Sequence, residues 1–390
     1  MEDVMNDPRK WTALALVLFG SSMLSACSRT EPSLALDDSL HAPLGPGEGY
    51  SVARVHEGPG DTYEIEHLAV SDDYLFYSIN WRGLVRSPKY GGDWDWVDQD
   101  SRAEVEGVTA NASEVFWVRS TFGPGDAPYT KLERRAAAGG PVGLLKDGGI
   151  GTQNSYSVSG VIVEGDTLYA LDVDRAVVWA FPREGGAPTQ ISFAALTDPA
   201  ASEPLFPNWV PDGPAVYFST CLGSPSPTCA LWKADATSGS LTNLLPLQAG
   251  PAGDSVQAVD DAFLYLVKGG HIVRMAKTDL TLSDVYIPET GQAVSAPVLL
   301  DDNNVYFLSY GPATVQLLKV PKTGGQAQPI GWGKQLEAGV WEMAQDTAFV
   351  YVLVGPTTDS SGNIAGNQIL MFPKTPASAD GGTDGGDGGP

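Results

Sequence analysis

Asp301-Asp302-Asn303-Asn304-Val305-Tyr306-Phe307-Leu308, followed after a short gap by Leu317-Leu318-Lys319-Val320-Pro321-Lys322-Thr323-Gly324-Gly325, is the stretch from which the rest of the chain can be read. It contains an acidic turn, an aromatic-centred apolar strand, and a second strand ending at Pro-Lys-x-Gly-Gly. The first strand is apolar at consecutive positions, so it needs cover on both faces. The same unit recurs along the chain, centred on Tyr77, Phe116, Tyr169, Tyr217, Tyr265, Tyr306 and Tyr351, at spacings of 39, 53, 48, 48, 41 and 45 residues. That is the period of a propeller blade. An array of immunoglobulin-type sandwiches would need about 100 residues per domain.

Each unit reads as four strands, A to D. The A strands include His67-Leu68-Ala69-Val70 and Ser255-Val256-Gln257-Ala258-Val259. The A–B turns carry Asp72-Asp73, Asn111, Glu164-Gly165, Asp212-Gly213, Asp260-Asp261, Asp301-Asp302 and Asp346. The mark after strand C is clear at Pro88-Lys89-x-Gly91-Gly92, Pro182-Arg183-x-Gly185-Gly186 and Pro321-Lys322-x-Gly324-Gly325, and degraded in the second, fourth and fifth units. The seventh unit lacks a D strand after Gln368–Lys374, and an unassigned run, Tyr50–His56, precedes the first A strand. The expected architecture is therefore an all-β, seven-bladed β-propeller over residues 50–374, closed by an N-terminal strand that completes the last blade and covers its edge.

The repeat resembles that of bacterial β-propeller lipoproteins with V-Y…I-x-R-x-P-K-x-G-G units and, more loosely, the TolB-like propellers. The start of the chain carries a second resemblance. Arg9 and Lys10 precede a 14-residue apolar run, Trp11–Leu24, which is short for a membrane span. The run ends in Leu24-Ser25-Ala26-Cys27, which looks like a lipoprotein lipobox. The resemblance implies a signal peptide over 1–26, diacylglycerol on the Cys27 thiol, and palmitate or another acyl chain on the new amine. More than one chain makes such anchoring stable. Ser28 in place of Asp leans towards the outer membrane. The alternative is an ordinary secretory leader with an incidental cysteine. Residues 27–49 form the expected lipid-anchored linker, and 375–390 a disordered Gly/Asp tail.

The chain has 390 residues, 43% of them hydrophobic, with 45 glycines and 29 prolines, and a formal charge of −24. Such a surface repels nucleic acid and anionic headgroups. Cys221 and Cys229 bracket the B–C loop of the fourth blade. In an oxidising envelope they are the expected disulfide, with a metal or redox pair as the sharper alternative. Asp93, Asp95, Asp98 and Asp100 are the densest acidic run. They lack the Gly and bidentate Glu of an EF loop, and turn chemistry accounts for the Asp pairs of the A–B turns, calcium being the alternative. Ala234-Asp235-Ala236-Thr237-Ser238-Gly239 looks like a single copy of a quinoprotein-type blade motif.

No HExxH pair, Gly-x-Ser-x-Gly elbow or Walker loop is present. No catalytic residue, metal ligand or cofactor is expected. The D–A and B–C loops share one rim, and there the sequence places Trp81, Phe122, Tyr129, Tyr156, Trp209, Tyr310 and Trp341 as a candidate binding face. The alternative is that several of these cap the blade cores. The expectation is a monomeric, membrane-anchored envelope protein that binds or scaffolds a protein or glycan partner. A propeller hydrolase, lyase or quinoprotein with a channel-face site is the second reading. Two carboxylates with a His or Arg lining the channel would favour the enzyme.

Overall fold

The computed structural model describes residues 43–45, 49–54, 64–90, 93–100, 103–122, 128–147, 158–172, 175–193, 205–222, 228–247, 254–312, 314–332, 336, 339–355, 357–358, 364–365 and 367–375. The leader, Cys27, most of the linker and the tail beyond Thr375 lie outside them. Among the described residues no helix is long and apolar enough to cross a membrane.

Six blades are antiparallel four-stranded meanders in A-B-C-D order. Their A strands are Ile65–Val70, Ala103–Ala110, Val158–Glu164, Leu205–Asp212, Ser255–Val259 and Ala293–Leu300. The seventh blade combines Val340–Gln345, Phe349–Val354 and Gln368–Pro373 with the N-terminal strand Gly49–Arg54. In that outer strand Tyr50 lies opposite Met371 and Arg54 opposite Gln368. Closure is as the sequence implies, and the sheet extends further: Pro43–Gly45 pairs outside Gly49–Arg54, within the expected linker. The A strands neighbour one another round the axis, and that of blade seven meets that of blade one.

The reason for a ring is visible in the core. Strand B is buried along nearly its whole length in every blade, as in Phe349–Val354 and Asn304–Tyr310. The described apolar residues form seven clusters, each shared by two neighbouring blades. The closing cluster joins Val52, Tyr351, Leu353 and Ile369 of blade seven to Ile65, Leu68 and Tyr77 of blade one. A single sheet cannot hide both faces of its B strand, whereas seven in a circle can. Packing at the blade six–seven junction is tight: a Cβ on Gly331 would stand 2.3 Å from the Phe372 ring.

The repeat signature is a latch between blades. In blade five, Asp260 Oδ1 accepts the amides of Ala262 (3.0 Å) and Phe263 (2.9 Å) and so closes its own A–B turn. Its Oδ2 accepts the Tyr265 hydroxyl at 2.9 Å and the Lys322 ammonium of blade six at 2.9 Å. Blade six repeats this with Asp301, Tyr306 (2.5 Å) and Lys374 of blade seven (3.7 Å). Blade seven repeats it across the closure with Asp346, Tyr351 (3.0 Å) and Lys89 of blade one (2.6 Å). Asp212 of blade four takes Lys277 of blade five at 2.6 Å. The Gly-Gly that follows turns the chain through positive φ twice, 86° and 133° at Gly324 and Gly325, where a side chain would be strained.

The register corrects one strand centre. The A–B turns are closed by the backbone bonds Ser71 N to Tyr74 O, Asn111 N to Glu114 O and Asp260 N to Phe263 O. Five residues beyond these capping positions lie Phe76, Phe116 and Tyr265, so Phe76, not Tyr77, is the equivalent residue in blade one. Phe76 packs towards blade two and Tyr77 towards blade seven, because side chains one position apart point to opposite faces. The exchange is consistent: the two blades with Phe at this position have Ser71 or Asn111 as the cap, neither of which carries charge.

Candidate functional site

The inner strands of blades seven, one and two carry an uneven load of carboxylates. Glu66 and His67 lie on Ile65–Val70, Glu104 and Glu106 on Ala103–Ala110, and Glu342 on Val340–Gln345. Burial pushes the Glu66 carboxyl up to about 7, and the neighbouring Glu104 and Glu64 charges add to that. Glu106 is likewise pushed up to about 7 by burial, then by Glu104. Burial raises Glu104 as well. Glu66 Oε2 and Glu106 Oε1 are buried without a hydrogen-bond partner among the described residues. Such atoms favour either a proton or an incoming donor.

Glu342 Oε2 accepts the Leu68 amide at 2.7 Å and lies 3.8 Å from His67 Nδ1. Burial raises Glu342 to about 8 and lowers His67 to about 4. At neutral pH the imidazole is therefore uncharged and most of the Glu342 population is protonated. The sector holds donors and acceptors more than fixed ion pairs.

Two exposed indoles belong to the same blades. Trp341, on the blade-seven A strand, is 44% exposed. Trp81, 43% exposed, sits in the tight B–C turn of blade one with φ of 55°. That left-handed conformation costs a non-glycine residue about 1 kcal/mol, and such strain concentrates at sites of use. The turn is tied to the inner strand: Asn80 Oδ1 accepts the Glu64 amide at 3.1 Å.

The other rim aromatics fare differently. Trp209 lies within the blade-four A strand, 9% exposed, in the core between blades three and four. It is a core residue rather than a rim contact, since its strand turns it into the blade junction. Tyr310 ends strand B of blade six, half-buried against the blade six–seven cluster. Tyr156 and the side chains of Phe122 and Tyr129 lie outside the described residues. Cys221 stands opposite Cys229 in the ladder, and Cys229 is 2% exposed. The Cys221 side chain also lies outside the described residues.

The acidic run in blade one is engaged by arginines. Asp95 receives Arg86 at 2.7 and 3.0 Å, while Arg119 of blade two lies 3.1 Å from Asp98, 3.5 Å from Asp100 and 3.2 Å from Glu133. Asp98 and Asp100 thereby tie blade one to blade two, whereas the Asp95 and Glu133 pairs each stay within one blade. Asp235 in the quinoprotein-like stretch accepts the Thr237 and Ser238 amides at 2.9 and 2.8 Å, an ordinary Asx turn.

Sequence reasoning missed the inner carboxylates. Glu66, Glu106 and Glu342 sit far apart in the chain without a local motif. The available signal was charge at inward positions of A strands in adjacent units, which needs the register to be known.

No family model and no curated protein matches the chain. Among solved structures, an acylaminoacyl peptidase in complex with Z-Gly-Gly-Phe-chloromethyl ketone superposes with a TM-score of 0.54 at 10% identity, over 80% of this chain and 51% of that one. YCF48 bound to D1 peptide gives 0.50 at 10% identity, over 81% and 95%. An oligogalacturonate lyase from Vibrio parahaemolyticus gives 0.47 at 11% identity, over 64% and 69%. At such identities the likeness is one of fold alone, carried by the peptidase and by the peptide-bound YCF48.

Proposed function

We propose that this chain is a lipid-anchored, non-enzymatic binding module of the bacterial cell envelope. It receives a basic, donor-rich segment of a protein partner on the rim over blades seven, one and two. The observation that carries the reading is the pairing of exposed Trp81 and Trp341 with the inner carboxylates Glu66 and Glu106, each with an unpartnered oxygen. Indole faces attract Lys and Arg side chains, and the carboxylates accept their hydrogen bonds. The lipobox-like Leu24–Cys27 supports anchoring through an acylated Cys27, and Ser28 supports the outer membrane.

The test is calorimetric titration of the body, residues 43–375, with Lys/Arg-rich peptides, alongside mass spectrometry of the membrane-extracted chain. Saturable binding weakened about tenfold by Trp81→Ala or Glu66→Gln is expected, a loss of about 1.4 kcal/mol. Equal binding by both variants, or an unacylated Cys27, would count against the respective half of the proposal.

A second reading rests on the same carboxyl groups. Glu66 and Glu106, both near neutrality and close enough to Glu104 to feel its charge, form a pair suited to proton transfer in an extracytoplasmic hydrolase or lyase. Turnover of a glycan or peptide that Glu66→Gln and Glu106→Gln each abolish, with binding retained, would favour this reading.

A further inference from the structure

The latch between blades is broken at one junction in a way that leaves a socket. Blade three supplies the acid and the ring: Glu164 stands five residues before Tyr169, as Asp212, Asp260, Asp301 and Asp346 stand before their tyrosines. Tyr169 faces blade four in the same manner. Blade four does not supply the lysine. The backbone bond that places Lys277, Lys322 and Lys374, from their amides to Ala262, Asn303 and Ala348 carbonyls, is made in blade four by Ala236 to Pro214 at 2.7 Å. Ala236 therefore occupies the lysine position without an ammonium.

A groove of about 700 Å³ opens at this point, lined by Glu164, Tyr169, Pro182, Ile191, Gly213 and Ala236 among others. Glu164 reaches across to the Gly213 amide, 3.3 Å from each oxygen, and Tyr169 donates its hydroxyl to the Gly213 carbonyl. These long amide contacts leave carboxylate acceptor capacity facing the groove. The charged groups around it are accounted for. Asp212 is held by Lys277, Asp166 is exposed at the rim of the groove, and Arg183 is shared between Glu114 and Asp166. Burial pushes the Glu164 carboxyl up, and nearby Asp212 adds to that against the pull of the Gly213 amide and Lys277.

We propose that the blade three–four junction is a primary-ammonium site, a vacant copy of the lysine sockets at four other junctions, that takes an alkylammonium from outside the chain. The chain itself shows the ligand geometry. Lys374 Nζ lies over the Tyr306 ring at 4.8 Å and Lys322 Nζ over Tyr265 at 5.8 Å, each with its carboxylate. An incoming chain would lie along Tyr169 with its ammonium on Glu164. The site is on the A–B and C–D rim, opposite the rim of the proposed binding face, so the two stand or fall separately.

The experiment fills the socket from within. Ala236→Lys is expected to raise the melting temperature by about 2 °C over Ala236→Met, a control of similar length without charge. Butylammonium chloride is expected to stabilise the wild-type body saturably, with sodium chloride as the ionic control. It should fail to stabilise Ala236→Lys, and bind Glu164→Gln about tenfold more weakly. N-acetyl-lysine methylamide and 1,4-diaminobutane, titrated in parallel, distinguish a protein side chain from a free diamine as the source. An Ala236→Lys chain no more stable than Ala236→Met would overturn the proposal. So would butylammonium that binds wild type no better than sodium, or binds Ala236→Lys equally well.

Discussion

Lys89 shows what one side chain contributes to the ring. It is 3% exposed, reaches Asp346 at 2.6 Å, and spans the junction where the chain closes on itself. Burial pushes the Asp346 carboxyl up, and Lys89 with the Phe349 and Ala348 amides more than offsets it, holding the group below its usual value. Lys89→Met removes the cation and leaves Asp346 buried, which should cost about 3–5 kcal/mol. Adding Asp346→Asn should recover part of that, as read from urea midpoints. Inner-strand acids predict a different behaviour. Glu66 and Glu106 acquire charge as pH rises through about 7, so a Lys/Arg-rich peptide should bind several-fold more tightly at pH 8 than at pH 6. Calorimetric titration of Glu66→Gln/Glu106→Gln should show a flat profile over that range. At this scale the sequence was only partly legible. The repeated Asp and Tyr could be counted, but that one carboxylate oxygen takes both the tyrosine hydroxyl and the next blade's lysine requires three dimensions. The offset between Phe76 and Tyr77 arose because both are aromatic and only the turn fixes which of them faces the following blade.

At the scale of the strand, legibility was high where burial and edges decide. The lack of a fourth strand after Gln368–Lys374 and the unassigned run ahead of the first blade pointed to each other, and Gly49–Arg54 does pair with Gln368–Pro373. Asn367 reinforces the join, its amide bonded to the backbone of Ile65 in blade one at 3.0 and 3.3 Å. Removing residues 43–54 should lower the melting temperature of every blade together in a single calorimetric transition. A transition confined to a small part of the heat would contradict shared closure. Cys221 and Cys229 belong to this scale too. Directly opposed antiparallel residues lie about 4.5–5.5 Å apart at Cα, within reach of a disulfide. We propose a bridge there; reduction would then destabilise the body by about 2–3 kcal/mol and have no effect on Cys221→Ser/Cys229→Ser, and equal melts of both chains with and without reductant would count against it. Trp209 was misplaced for the opposite reason: an aromatic near a loop reads alike whether it rises from the rim or turns into a junction.

Taken whole, the molecule carries two sets of acids with opposite responses to pH. Asp260, Asp301 and Asp346 of the latches sit below their usual value, so the stability they add is present above about pH 4 and lost as pH falls further. Glu66, Glu106 and Glu342 sit above theirs, at about 7, 7 and 8. Their contribution is complete below about pH 4.5 and disappears as pH rises through those values. His67, lowered to about 4, opposes them by favouring the fold as pH climbs from about 4 to 6.5. Thermal melts across pH 3–9 should therefore peak at about pH 4–5, where the latch aspartates are charged and the three glutamates still hold their protons in both states, and decline towards pH 8. Glu66→Gln/Glu106→Gln/Glu342→Gln should remove the decline between pH 5 and 8. The seven-fold ring was legible because period and burial are properties of the whole chain. The inner acidic sector was not, since it exists only once blades seven, one and two stand side by side.

The seventh blade is assembled from both sides of the sequence, with Ser51 donating to Gln368 across 317 positions. This imposes an order on synthesis. A nascent chain can stack its first six sheets as they appear, yet Gly49–Arg54 must wait, unpaired, until Gln368–Pro373 has been made. Until then an open sheet edge is offered to any extended segment nearby. A holdase that shields the waiting strand would raise the yield of finished rings.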